Sequence, residues 1–85
     1  MNDYGYIIAK SLHDKLTEKV RGSVQCAYND YDDTITVVIQ HNGNKFMYVH
    51  SNISKLALQN RGATMLTVET MTTYGHAVRN LFFKE

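Results

Sequence analysis

Asn42-Gly43 lies between two runs of alternating apolar residues, and no other pair in the chain constrains the fold as tightly. A two-residue type I′ hairpin loop needs positive φ at both central positions, which Asn and Gly adopt most readily. That loop sets a register in which Ile39 faces Phe46, Val37 faces Tyr48 and Ile35 faces His50. A second turn at Asp32-Asp33 would put Cys26 opposite Ile39, Tyr28 opposite Val37 and Asp30 opposite Ile35. Both turns place Val24, Cys26, Tyr28, Ile35, Val37, Ile39, Phe46 and Tyr48 on one face. A slip of one residue would turn a whole strand over, so this agreement supports a three-stranded antiparallel meander.

The opposite face carries an apolar middle of Ala27, Val38, Met47 and Val49, rimmed by Gln25, Thr34, Thr36, Gln40 and Lys45. An antiparallel sheet open to water usually shows a polar face. Either a partner or the chain's own tail is expected to cover this one.

Helical periods flank the sheet. Ile8, Leu12, Leu16 and Val20 recur every fourth residue from Tyr4 onward, with Gly5 and Ala9 leaving room for close approach. Asn2 or Asp3 suits the N-cap, and Arg21-Gly22 suits the stop. After Ser51-Asn52, residues Ile53 to Gln59 read as a short helix ended by Asn60-Arg61-Gly62. From Thr64 on, Val68, Met71, Gly75, Val78 and Phe82 recur at spacings of three and four. The period predicts a helix there, and the many threonines keep a strand over 64–71 as the alternative. The expected fold is a single α+β domain over residues 1–85. Its N-terminal helix, β-meander, short helix and C-terminal helix pack on one sheet face.

Composition narrows the function. Eighty-five residues bury ~60–65% of their unfolded surface, enough for one modest core. Nine Lys+Arg stand against eight Asp+Glu, a formal net charge of +1. That balance argues against an electrostatic grip on nucleic acid and against a densely acidic DNA mimic. The single Cys26 can form no internal disulfide, which points to a reducing interior. The longest apolar stretches are far too short to span a bilayer, and no signal-peptide layout opens the sequence. The expected location is therefore cytoplasmic, without membrane attachment.

No constellation carries catalysis. Asp30-Tyr31-Asp32-Asp33 lacks the glycine and terminal glutamate of a calcium loop, so it reads as a turn. It is also a candidate acidic contact beside Tyr28 and Tyr31. Among His13, His41, His50 and His76, none has a second ligand at helical spacing. Asp30 and His50 would flank Ile35 about 10 Å apart, too far for a direct hydrogen bond. These histidines read as surface or sheet-edge residues. Cys26 points to the core face, where a thiol acts as a small hydrophobe. Phe46 and Tyr48 alternate as base-stacking aromatics do, but they share a face with Ile35, Val37 and Ile39 and read as core. Asn42-Gly43-Asn44 lacks the following helix N-terminus of a phosphate cradle. The reading is a non-enzymatic protein with no catalytic residue, cofactor or metal.

Four segments, Leu16-Thr17-Glu18-Lys19-Val20, Tyr28 to Ile35, Phe46 to Ser54 and Leu81-Phe82-Phe83-Lys84, carry a likeness. They resemble small accessory proteins encoded by bacteriophages and prophages. The element order is also similar to a phage inhibitor of a type II CRISPR nuclease. The resemblance implies an anti-CRISPR-like protein that binds and blocks a host protein in the cytoplasm of the infected cell. That inhibitor mimics DNA with a dense acidic surface, whereas here only the Asp30–Asp33 turn carries over. The expected contact residues are Asp30, Tyr31, Asp32, Asp33, Met47 and Val49, with homodimerisation through the sheet as a further expectation. The alternative is a small dimeric nucleic-acid-binding regulatory protein, which the charge balance disfavours.

Overall fold

The computed structural model describes residues 4–56, 65–69 and 72. Helix α1 (Tyr4–Lys19) leads into strands β1 (Ser23–Asn29), β2 (Thr34–His41) and β3 (Asn44–His50), followed by the short helix α2 (Ile53–Leu56). Residues 65–69 are also helical, as the spacing of apolar residues predicts, in place of the alternative strand. The expected N-cap at Asn2 or Asp3, the stop at Asn60-Arg61-Gly62 and the rest of the C-terminal helix lie outside the described residues.

The strands form an antiparallel sheet in the order β1-β2-β3. At the tight hairpin the expected register is the observed one: Ile39↔Phe46, Val37↔Tyr48 and Ile35↔His50. Asn42 and Gly43 both carry positive φ, 50° and 80°, as a type I′ loop requires.

The other hairpin differs from expectation. Its pairs are Val24↔Ile39, Cys26↔Val37 and Tyr28↔Ile35, two residues away from the alignment that a Asp32-Asp33 turn would give. Asp30 thus lies in the loop, and Tyr28 takes the place opposite Ile35. The cause is a four-residue loop, Asp30 to Asp33, closed by Asn29. The Asn29 side-chain oxygen accepts the N–H groups of Tyr31 (2.9 Å) and Asp32 (3.4 Å). A slip of two preserves the side-chain alternation, so each strand keeps the expected face.

That face meets α1. Ile8, Ala9, Leu12, Leu16 and Val20 join Val24, Ile35, Val37, Ile39, Tyr48, Ile53 and Leu66 in one core, with Cys26, Tyr28, Phe46 and Leu56 packed against it. Gly5 makes the close approach possible, because a Cβ there would run into the Tyr28 ring. The helix ends as its glycine predicts. The Val20 N–H still bonds the Leu16 carbonyl (3.0 Å), and Gly22 turns the chain at φ 83° against the Gln40 backbone.

Candidate protein-contact surface

The outer sheet face is built in rows. Ala27, Thr36 and Val49 lie across the three strands in one row, and Gln25, Val38 and Met47 in the next. Period-two alternation forces all six away from α1, because their neighbours along each strand enter the core. Met47 is 59% exposed and Val49 51%, while Ala27 is exposed and Val38 half-buried. The apolar middle expected on this face is therefore open among the described residues.

One end of the face is acidic, and the other carries the single Lys45. The ends of the Asp30–Asp33 loop lie three residues beyond the Ala27–Thr36–Val49 row, or ~10 Å along the strand, and Gln40↔Lys45 closes the opposite end. Tyr31 stands at the loop tip, 93% exposed. Asp30 and Asp32 are exposed beside it.

Asp33 has a different setting from its neighbours. It holds φ 57°, and its carboxylate faces the start of α2. The Ser54 hydroxyl donates to Oδ2 at 2.7 Å, and the Ser54 N–H donates to both oxygens at 3.0 and 3.1 Å. The Tyr28 hydroxyl donates to Oδ1 at 2.9 Å, and the Ile53 N–H donates to the Asp33 carbonyl at 3.2 Å. The Ser54 hydroxyl foremost, then the Ser54 N–H and the Tyr28 hydroxyl, hold the Asp33 carboxyl below its ordinary range against the opposing pull of partial burial. Asp33 thus ties the β1–β2 loop to α2 across 21 residues of chain. Sequence spacing carries no signal for that tie, since Asp33 and Ser54 belong to no local capping pattern.

Several features fall outside the expected contact set. Tyr4, Tyr6 and Ile7 expose a second apolar group on α1. Tyr6 meets Tyr28 edge to face at 5.1 Å. Met65 and Val68 are exposed where residues 65–69 approach β3.

His50 is buried at 5% exposure, a correction to its expected surface setting. It is on an edge strand, but its side chain shares the core face with Ile35. Its ring packs edge to face on Tyr48 at 5.1 Å, and Nδ1 lies 3.9 Å from the Glu69 carboxylate. Burial pushes the imidazole below its ordinary value, and Glu69 pulls it partly back. A cleft of about 750 Å³ opens beside this pair, lined by Val49, Leu56, Met65, Leu66 and Val68 with Lys55 at its edge. Asp30 is in the turn and takes no part in it.

Cys26 packs against the core as expected, and burial pushes its thiol up to about 11. Among the described residues no group of three or more His, Cys, Asp or Glu could hold a metal ion. No helix among them is long and apolar enough to cross a membrane. Comparison with protein-family models, curated proteins and solved structures finds no match for the chain.

Proposed function

We propose that this protein acts by binding another protein and blocking it, with the outer sheet face as the contact. The observation that carries the reading is the apolar middle formed by Met47 and Val49, open among the described residues, on a sheet whose other side is already filled by α1. Methionine adapts to irregular partner surfaces, and an exposed tyrosine is a common interface anchor.

Size decides how far the contact extends. Three strands ~4.8 Å apart and about seven residues long give a footprint of roughly 330 Å². A standard interface buries ~800 Å² on each partner. The contact therefore takes in the adjoining loop, where Tyr31, Asp30 and Asp32 add an aromatic anchor and two negative charges. Asp33 belongs to this surface as the residue that shapes the loop.

In its most specific form the function is that of a phage-encoded anti-CRISPR protein occluding a type II CRISPR nuclease in the host cytoplasm. The support is the likeness in the four segments and in element order, together with the open face. The test is a stoichiometric binding and cleavage assay with purified nucleases of that type. The expected result is saturable inhibition by the unaltered protein, weakened by Met47→Glu with Val49→Glu. A central contact carries ~2 kcal/mol, about 30-fold in Kd. Nucleases that neither bind nor slow would remove the specific reading. Failure of the double variant to alter capture of any stoichiometric protein partner would remove the general one.

A further inference from the structure

We infer that Asn42-Gly43 is a self-modification site, where the Asn42 amide converts to a carboxylate through a succinimide with His41 relaying the proton. The reaction needs a backbone nitrogen free to reach the preceding side-chain carbonyl carbon, and a route for ammonia to leave. Both residues are exposed at the hairpin tip. The ladder ends at His41↔Asn44, so the Asn42–Gly43 peptide lies outside it. Nothing stands within 4 Å of where a Gly43 Cβ would be. The Asn42 Nδ2 lies 3.2 Å from the His41 Nε2, so the leaving nitrogen already touches an imidazole.

The other asparagines of the described strands and loops are set differently. The Asn29 side-chain oxygen holds the N–H groups of Tyr31 and Asp32. Asn44 is paired in the ladder and precedes Lys45. Asn52 precedes the β-branched Ile53, whose nitrogen is bonded to the Asp33 carbonyl at 3.2 Å.

The step balances without a co-reactant other than water. Solvent base takes the Gly43 amide proton, and the nitrogen adds to the Asn42 Cγ. The Cγ–Nδ2 bond then breaks as Nδ2 takes up a proton from water by way of the His41 ring, and ammonia departs. Water opens the succinimide at either carbonyl, leaving aspartate or isoaspartate. Each product removes one unit of charge, taking the formal net charge from +1 to 0. The isoaspartyl form also adds a backbone atom to the turn that sets the β2–β3 register. Near-zero net charge favours self-association.

The experiment ages the folded protein at neutral pH and physiological temperature and maps amide loss by peptide mass analysis. A denatured sample serves as a positive control. The expected result is conversion at Asn42 ahead of Asn29, Asn44 and Asn52, with aspartate and isoaspartate both formed. His41→Phe and His41→Gln, checked for an unchanged melting transition, should each slow the folded-state reaction severalfold. An intact Asn42 amide once the denatured control has converted would overturn the site. Equal rates in both His41 variants and the unaltered protein would overturn the relay.

Discussion

Asp33 shows how one side chain can hold two distant segments. Its left-handed backbone suits Asn as well as Asp, so Asp33→Asn changes charge with little backbone penalty. The depressed carboxyl contributes stability that is complete above the unfolded value near ~4 and is lost as pH falls through the lower folded value. The unaltered protein should therefore lose stability on acidification through this range. Asp33→Asn should start lower at neutral pH and show a flatter acid limb in urea titrations at several pH values. Parallel acid limbs would mean that the Ser54 bonds do not favour the ionised form.

Gly5 makes a second residue-scale case. Alanine in a helix gains up to ~1 kcal/mol over glycine. Here the added Cβ would meet an aromatic ring, and overpacking costs about 1–3 kcal/mol. Gly5→Ala is thus expected to lower the denaturation midpoint, and a raised midpoint would show that α1 can move away from the sheet. The small residue was visible in the sequence as room for close approach. Its contact with Tyr28 was not, because that depends on where α1 crosses β1.

Among the elements, β2 is the most constrained, with Ile35, Val37 and Ile39 all inaccessible to solvent. Val37→Asp would bury an unpaired carboxylate at a cost of several (~2–7) kcal/mol or more. A chain of this length has ~4–13 kcal/mol to lose. The variant should show no cooperative melting transition by circular dichroism; a retained transition would put the register in error.

His50 couples β3 to residues 65–69. Since burial lowers its folded value, the unfolded chain takes up the proton first as pH falls below ~6.5. Stability should decline from there until pH passes the folded value, a window that opens at higher pH than that of Asp33. His50→Phe should abolish this upper decline and spare the acid limb. An unchanged pH profile in that variant would mean that His50 is not desolvated in the folded state. The histidine itself was legible as an edge-strand residue. Its pairing with Ile35 already placed it on the core face, but its contact with Glu69 was not legible, because residues 65–69 come from outside the meander.

At the scale of the whole molecule, charge and apolar surface are separated along the outer sheet face. If Asp30 and Asp32 steer a partner while Met47 and Val49 hold it, the two pairs will affect different rates. Asp30→Asn with Asp32→Asn should lower the association rate and reduce its salt dependence. Met47→Glu with Val49→Glu should mainly raise the dissociation rate. Surface-based kinetics at two ionic strengths separates them, and identical effects from both pairs would count against this division.

The alternation of side chains, the Asn42-Gly43 loop and the helical spacing of α1 determined on their own which residues share a face. That is so because a strand of period two keeps its faces under any even slip of register. The slip itself goes with the four-residue Asp30–Asp33 loop, which Asn29 closes locally, and tertiary structure supplied the bonds from Asp33 to Ser54 that hold it. Tertiary structure also decided which apolar residues stay open, because exposure depends on what another segment covers.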